Sequence, residues 1–499
     1  MHKSRNILRN AISAISVVLV TAVVYFFLYK YLNAQVGIAE LGVWSLVIST
    51  ISVGAVANAA LSESVVRFVA LYSVKEEWEN VSKVLFTSCY ILGILLFFFL
   101  LIIYAGSYYI LPFVIEKKEY LTLARSLLPY GLLAFWINGV ASAFLSFFEG
   151  LRLAYIKNMI TAVCVVLFYI SSRLMVPKYG LIGVVYAQVF QSIVLLVISS
   201  IAVFIKLPVV ALRPLGFKSD LFKEIVAFSV NLQVVSIVTI MYDPVTKYFL
   251  AKYGNISFVG YYEMGNRLVA QARSVIISAT QILVPNLTIE AEKSMDALKA
   301  IYQKVFSIVF SISTFMLASI IIFLPYISIF WIQHFEPIFI VTTIILGAGW
   351  YVNIIMSPVY FVNYATNSLK INLNGQLIMA VLNPIFCLAL GVFFGSYFVI
   401  VGWACTLVLG ALYTIVKSHR KYDISSRKLF KPEMKKVFIG AVFALISWLI
   451  YGEFIKTLPL FLMVGIAMIV FGVLAAITIK MDKNFTYILN LVKLNFKQA

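Results

Sequence analysis

Residues 11–29 read AISAISVVLVTAVVYFFLY and contain no charged side chain. The hydrocarbon core of a bilayer is about 30 Å thick and is crossed by roughly 20 helical residues, so this stretch predicts a transmembrane helix. It is too long for the core of a secretory signal peptide, and no convincing small-residue cleavage site accompanies it. We therefore expect the stretch to be retained as the first membrane span.

The composition of the whole chain agrees with a membrane protein. Of its 499 residues, 63% are hydrophobic and 12% are charged, and the mean hydropathy is +1.00. Soluble domains have about a quarter of their residues charged, so soluble enzyme folds are excluded. The net charge of +19 would suggest a nucleic-acid partner in a soluble protein. Here the cations lie mostly between apolar runs, so we expect no nucleic-acid partner.

The first span is one of fourteen stretches that are long and apolar enough to cross a bilayer. The fold class predicted from them is an all-α polytopic membrane protein with about 14 transmembrane helices. The thirteenth stretch is the weakest, because only 437–452 is uncharged, and a count of twelve stays open. The predicted spans are 11–32, 41–66, 84–106, 123–148, 158–176, 181–205, 225–250, 258–284, 305–324, 337–363, 371–393, 398–416, 437–453 and 457–479.

The distribution of lysine and arginine predicts the orientation of these spans. Of the 39 cations, 27 lie at the two ends or on the even-numbered connections, 6 lie on the odd-numbered connections, and 6 lie within spans. Cytoplasmic loops carry the excess of lysine and arginine in membrane proteins. Both termini are therefore predicted to be cytoplasmic.

The loops and the cysteines give no indication of an enzyme. No connection is long enough to hold a catalytic domain, the three histidines are scattered, and there is no glycine-rich nucleotide loop. We therefore predict a protein that is not an enzyme, with no cofactor and no direct ATP drive. The cysteines all fall within apolar runs and form no CxxC pair, so neither a disulfide nor a metal site is expected. They are Cys89, Cys164, Cys387 and Cys405.

Two short anchors suggest that the spans repeat. Leu41-Gly42-Val43-Trp44 recurs 218 positions later as Val259-Gly260-Tyr261-Tyr262, and Gly183-Val184-Val185 recurs 219 positions later as Gly402-Trp403-Ala404. Six spans separate each pair, so the two copies would be related by an axis along the membrane normal. The predicted organisation is a six-helix lobe at 1–205, a basic linker at 206–224, and a second six-helix lobe at 225–416. A basic loop, two helices and a tail follow at 417–499.

Several motifs resemble the polysaccharide-transporter branch of the multidrug/oligosaccharidyl-lipid/polysaccharide exporter superfamily, whose members include flippases for O-antigen and capsule repeat units. The resemblance covers most of the chain, although each motif is short. The matching segments are Leu41-Gly42-x-Trp44, Ser62-Glu63-Ser64-x-x-Arg67-x-x-Ala70, Phe148-Glu149-Gly150-Leu151-Arg152, Tyr179-Gly180-Leu181-Ile182-Gly183, Asp243 and Val259-Gly260-Tyr261-Tyr262.

This resemblance implies a two-lobed bundle whose central cavity opens alternately to each side of the membrane. The implied cargo is an undecaprenyl-pyrophosphate-linked oligosaccharide that moves outward for surface polysaccharide (O-antigen or capsule) synthesis. The implied partners are this lipid-linked substrate, the membrane lipids, and a polysaccharide polymerase with a chain-length regulator. The implied location is the bacterial cytoplasmic (inner) membrane.

Ionisable side chains inside predicted spans are the candidate site residues, because charge at that depth is costly unless it has a function. A pyrophosphate cargo needs cations, and six of these eight residues are cationic. The substrate-binding candidates are Arg267, Arg273, Lys247, Arg67, Arg125 and Arg173, and the candidates for coupling or ion pairing are Asp243 and Glu263.

Position along each span ranks these candidates. Arg125 and Arg173 lie near outer helix ends and Arg67 near an inner end, so their long stems can snorkel to the headgroups. The pairs Asp243–Lys247 and Glu263–Arg267 are each four residues apart, so each can form an ion pair within one helix. Arg267, near the middle of span eight, is the hardest to explain by snorkelling, and Arg273 is next.

Uncharged polar residues at depth have two interpretations, a sugar contact or a hydrogen bond to a neighbouring helix, and the second is the commoner in membrane proteins. They are Asn231, Gln233, Asn266, Gln271, Asn353, Asn363 and Asn383.

Other functional classes stay open at this level. An ion-coupled multidrug or metabolite antiporter of the same superfamily would need carboxylates in its cavity, and residues 11–29 have none. A lipid II flippase would have cations in its first span, whereas the first cation here is Lys30 at its end. A membrane-embedded enzyme or scaffold is disfavoured by the absence of a carboxylate or metal constellation in the loops.

The charge distribution generates a topological prediction. A cysteine at Lys117 should react with an impermeant maleimide in intact cells, whereas one at Lys428 should react only after the membrane is permeabilised. Labelling of the Lys428→Cys protein in intact cells would show that the orientation is inverted.

Overall fold

The computed structural model describes residues 2–207, 240–281, 287, 291–292, 294–454 and 458–481. Within these residues it contains fourteen α-helices and no strand, as the all-α prediction requires. The helices are α1 (His2–Ser52), α2 (Ala55–Val74), α3 (Trp78–Val114), α4 (Lys118–Gly150), α5 (Ala154–Tyr179), α6 (Leu181–Lys206), α7 (Tyr242–Tyr253), α8 (Ile256–Gln281), α9 (Met295–Ile332), α10 (Pro337–Ala365), α11 (Leu369–Phe394), α12 (Ser396–Lys421), α13 (Ser426–Phe454) and α14 (Leu460–Met481).

Some predictions fall on parts of the chain outside the described residues. These are all but the first two residues of the linker 206–224, the span-seven residues 225–239 with Asn231 and Gln233, and the tail from residue 482.

The helices have the length and surface of membrane spans. Within the described residues, eleven helices are long and apolar enough to cross a bilayer. Large apolar side chains such as Phe98, Ile102 and Phe113 on α3 are more than half exposed, as expected for a surface that faces lipid. The chain is therefore a multi-pass membrane protein.

The first two predicted spans differ from the observed helices at their boundary. The predicted gap between residues 32 and 41 is helical apart from a kink at Gly37, whose φ of 83° favours glycine. The helix instead ends at Ser52, and α2 begins at Ala55. At this break a Cβ on Gly54 would lie 2.8 Å from a ring carbon of Phe135 on α4, so a larger residue here would force that ring to shift. Periodicity cannot detect such a break, because both sides of it are equally apolar.

The helices form two compact units. The first comprises Met1–Met264 with Asn383–Val399, and the second comprises Gly265–Leu382 with Ile400–Ala499. This division reflects packing density and does not test the lobe boundaries predicted from the repeat, which stay a prediction.

Aromatic packing forms the core of the first unit. Phe68 on α2 and Phe147 and Phe148 on α4 are fully buried, and α3, α5 and α6 contribute aliphatic side chains to the same cluster.

In the second unit, α9 packs against α10, α13 and α14. Asn363 on α10 ties α11 and α12 together there, because its Nδ2 donates to Asn372 Oδ1 and to Ser418 Oγ, both at 2.8 Å. This is the interhelical role that is common for an asparagine at depth.

Two glycines of the predicted repeat meet in the first unit. A Cβ on Gly42 would overlap the carbonyl oxygen of Ile256, and a Cβ on Gly260 would overlap the carbonyl oxygen of Ile38. Ile256 lies four residues before Gly260, and Ile38 lies four residues before Gly42. Each glycine therefore packs against the other helix at the corresponding position. Backbone contact between helices through small residues is a common way of packing membrane helices. It brings α1 and α8 close enough for short side chains to reach across.

Substitution of either glycine should destabilise this crossing. Gly42→Val and Gly260→Val should each cost at least about 1–3 kcal/mol, because the backbone opposite cannot move aside as a side chain can. The measurement is the yield and melting temperature of the detergent-purified protein. Gly106→Val is the matched control, since a Cβ on Gly106 of α3 would meet nothing within 4 Å. Equal losses in all three variants would contradict the close packing.

Candidate functional site

A buried lysine between two carboxylates forms the centre of the polar interior of the first unit. Lys247 Nζ lies 2.6 Å from Asp243 Oδ2 and 2.7 Å from Glu263 Oε2. The side chains of Lys247 and Glu263 are each 4% exposed, whereas that of Asp243 is 39% exposed. The Asp243–Lys247 pair follows from their four-residue spacing on α7, and Glu263 joins it from α8.

Two hydroxyl groups from α1 complete the surroundings of Glu263. Tyr29 OH donates to Glu263 Oε1 at 2.8 Å, and Ser45 Oγ donates to Glu263 Oε2 at 3.0 Å. Tyr29 precedes the kink at Gly37 and Ser45 follows it, so both arms of α1 contact the same carboxylate. We call Asp243, Lys247, Glu263, Tyr29 and Ser45 the Lys247 cluster.

The cluster satisfies charges that would otherwise be very costly at this depth. An isolated ion in a low-dielectric interior costs several kcal/mol even after relaxation, and pairing plus hydrogen bonds must offset that cost. Both oxygens of Glu263 accept hydrogen bonds, and Tyr262 OH donates to Asp243 Oδ1 at 3.4 Å. Glu263 is thus engaged on both oxygens, and any mobile cation would have to compete with a tethered ammonium group.

Three pairs of residues at or beside the cluster have the spacing of the predicted repeat. Ser45 and Glu263 are 218 residues apart, as are Tyr29 and Lys247, and as are Gly42 and Gly260. Of these pairs, Ser45 and Glu263 hydrogen-bond to each other, and the two glycines lie at the same crossing of α1 and α8. Sequence reasoning missed Tyr29 and Ser45, although alignment of the two copies at an offset of 218 would have paired them with Lys247 and Glu263. The repeat itself stays a prediction.

Arg273 on α8 has different surroundings, in the second unit. Its Cζ lies 4.4 Å from the centroid of the Trp350 ring, and its Nε and Nη2 donate to Asn353 Oδ1 at 3.2 and 3.1 Å. Trp350 Nε1 in turn donates to Asn266 Oδ1 at 3.2 Å, and its ring packs against Trp403. The tryptophan that supports Arg273 was not among the predicted site residues.

In the part of the chain that the structure describes, the charge of Arg273 is matched only by neutral groups. Within the described residues no carboxylate lies within ion-pair distance of it, and the half-buried guanidinium is held by an aromatic face and one amide oxygen. A guanidinium has five N–H donors. Asn353 accepts two of them, so three can be donated to an anion.

Three of the other predicted arginines lie against aromatic rings. Arg125 Cζ lies 4.2 Å from the Tyr108 ring centroid, and Arg173 Cζ lies 5.0 Å from that of Tyr31. Arg67 is exposed on α2 with its Cζ 5.6 Å from the Phe68 ring centroid. The fourth, Arg267, is half-buried one turn beyond Glu263 on α8. Whether any of the four lines a transport pathway stays a prediction.

Asn383 on α11 has an interhelical role. It donates to Tyr242 O at 3.1 Å and to Thr246 Oγ1 at 3.2 Å, so it joins α11 to α7.

All four cysteines are free thiols. Among the described residues, no three histidine, cysteine, aspartate or glutamate side chains are grouped so that they could hold a metal ion.

Comparison with known proteins shows a likeness of fold. No protein-family model and no curated protein match the chain. The lipid II flippase MurJ in an inward closed conformation matches with a TM-score of 0.73 and 16% identity, over 93% of this chain and 98% of that chain. A multidrug resistance MATE family transporter of the MOP superfamily matches in its inward-facing conformation with a TM-score of 0.72 and 14% identity. The match covers 84% of this chain and 99% of that chain.

An outward-facing conformation of a MATE family transporter of the same superfamily matches with a TM-score of 0.60 and 14% identity, over 85% of this chain and 96% of that chain. At these identities the comparison establishes that the chain has the fold of these transporters.

The Lys247 cluster makes a prediction about folding. Lys247→Met should leave Glu263 buried without its ammonium partner and cost about 3–5 kcal/mol, which would reduce the yield of folded protein. The double variant Lys247→Met/Glu263→Gln removes both charges and should recover most of the loss. Yield and melting temperature after purification in detergent give the readout. A double variant no better than Lys247→Met would contradict the pairing.

Proposed function

We propose that this protein is a flippase that moves an undecaprenyl-pyrophosphate-linked oligosaccharide across the bacterial cytoplasmic membrane by alternating access. The observation that carries the proposal is Arg273, a guanidinium within predicted span eight whose charge is matched by no carboxylate in the described part of the chain. The fold supports it, since one of the matching structures is a lipid II flippase.

The chemistry of Arg273 suits a pyrophosphate. Arginine donates two parallel hydrogen bonds to phosphate oxygens, and such charge-assisted bonds are roughly twice as strong as neutral ones. The ring of Trp350 and the amide of Asn353 fix the plane of the guanidinium before the cargo arrives. Asn353 offers one neutral oxygen, so a phosphate gains a charge–charge interaction that the described residues do not supply.

The first alternative is an ion-coupled antiporter for cationic drugs or metabolites, because the matching structures also include MATE family transporters. A cationic cargo requires a carboxylate that is free to receive it. The buried carboxylate of Glu263 instead accepts bonds from Lys247, Tyr29 and Ser45. The arrangement of charge therefore favours an anionic cargo.

The second alternative is a lipid II flippase, whose cargo carries the same pyrophosphate. Arg273 cannot separate these two cargoes, because the difference between them lies in the sugar. The wider proposal includes cytoplasmic termini, a role in O-antigen or capsule synthesis, and work alongside a polysaccharide polymerase and a chain-length regulator.

Variants of Arg273 test the proposal in a deletion strain of the native host. The strain should accumulate a lipid-linked oligosaccharide and lose a surface polysaccharide, and the wild-type gene should reverse both. Arg273→Ala removes charge-assisted hydrogen bonds worth about 1.5–3 kcal/mol, so export should fall about 10- to 100-fold. Arg273→Lys should retain partial export, because it keeps the charge but loses the two-pronged geometry.

Lys178→Ala is the control, since Lys178 is exposed on α5 and is not among the candidate site residues. It should export normally, and membrane abundance should be equal in all variants. Hypersensitivity to cationic dyes with a normal polysaccharide coat would favour the antiporter. Accumulation of peptidoglycan precursors with lysis would favour the lipid II flippase.

A further inference from the structure

A basin of about 740 Å3 opens between the end of α12 and the start of α13. Its charged and hydroxyl side chains are Arg420, Asp423, Ser425, Ser426 and Lys428. It belongs to the second unit and shares no residue with the Lys247 cluster or with the surroundings of Arg273. The function proposed above does not use it.

The floor of the basin is rigid. His419 is buried, and its two ring nitrogens lie 2.7 Å from Tyr302 OH and 2.7 Å from Ser426 Oγ. The histidine thus ties the last turn of α12 to the first residue of α13. Tyr422, also buried, donates to Asn363 Oδ1 at 3.0 Å and fixes the connection between the two helices. The shape of the basin is therefore set by the protein before any ligand binds.

The basin carries unbalanced positive charge. Arg420 and Lys428 are exposed, and neither pairs with a carboxylate within the described residues. The acidic side chain of the basin, Asp423, has Lys299 Nζ at 4.0 Å. Eight lysines and arginines lie between residues 417 and 436, with only two carboxylates. An anion in the basin would therefore meet a net positive field.

The first turn of α13 adds an independent indication. A helix N-terminus carries a partial positive charge and is normally stabilised by acidic side chains. The first turn of α13 has no acidic residue and begins Ser426-Arg427-Lys428. Cations at this end of a helix are unfavourable unless an anion is bound there, and phosphate is the anion that helix N-termini commonly bind.

The location of the basin identifies the source of the phosphate. Both α12 and α13 are candidate membrane spans, so the short connection between them lies where the chain leaves the hydrocarbon. Val416 and Ile424 give the basin an apolar side next to its basic side. Basic pockets between the cytoplasmic ends of membrane helices bind phosphorylated lipid headgroups. We propose that this basin binds the phosphate headgroup of an anionic membrane lipid.

Lipid binding to the full-length protein in detergent tests the proposal, with native mass spectrometry as the measurement. Cardiolipin should bind more tightly than phosphatidylcholine. Arg420→Gln and Lys428→Gln should each weaken cardiolipin binding about fivefold, which corresponds to the roughly 1 kcal/mol that one cation contributes near a membrane surface. Both side chains are exposed, so neither change should alter folding.

Matched variants separate this site from a diffuse basic surface. Lys431 and Lys435 are exposed on the same helix but do not line the basin, so Lys431→Gln and Lys435→Gln should leave cardiolipin binding unchanged. Asp423→Asn should strengthen binding, whereas Asp296→Asn should not, although both carboxylates lie within 4.0 Å of Lys299.

Two results would overturn the proposal. Equal weakening in all four lysine and arginine variants would show that the charge of the loop acts as a whole, without a defined site. Complete displacement of cardiolipin by millimolar inorganic phosphate would assign the basin to a soluble anion. Neither result bears on Arg273, so the proposed function would stand or fall by its own test.

Discussion

The buried ammonium of Lys247 is the interaction on which the first unit depends. It connects α7 to α8 through Glu263, and Glu263 connects both helices to α1 through Tyr29 and Ser45. None of these charges could be buried alone, because the loss of hydration would cost several kcal/mol for each ion. The polar groups therefore impose one arrangement of the three helices, whereas apolar packing between membrane helices tolerates several.

This arrangement also requires the glycines that lie beside it. Gly42 and Gly260 let α1 and α8 touch at their backbones, and only at that separation can the short side chain of Ser45 reach the carboxylate of Glu263. The kink at Gly37 then turns α1 so that Tyr29 reaches the second carboxylate oxygen. Local backbone features thus determine which side chains the buried charge meets.

The sequence predicts well what depends on distance along the chain. Apolar stretches located most of the helices, and four-residue spacing identified the Asp243–Lys247 ion pair. Pairing between helices is different, because it depends on the rotation and depth of each helix. Spacing identified Arg267 as a candidate partner of Glu263, and the structure adds Lys247, from another helix, at 2.7 Å. The support of Arg273 by Trp350 escaped prediction for the same reason.

The two groups of buried charge differ in a way that bears on cargo. In the Lys247 cluster a cation and two carboxylates satisfy one another, so a mobile cation would have to displace an ammonium group held by the chain. At Arg273 the partners in the described part of the chain are an aromatic face and one amide oxygen, so a phosphate would displace no charged group of that part. Binding of an anion is opposed there only by desolvation of the phosphate and the guanidinium, which charge-assisted hydrogen bonds offset. Within the described residues, the charges of the Lys247 cluster are therefore balanced by one another, whereas that of Arg273 is not.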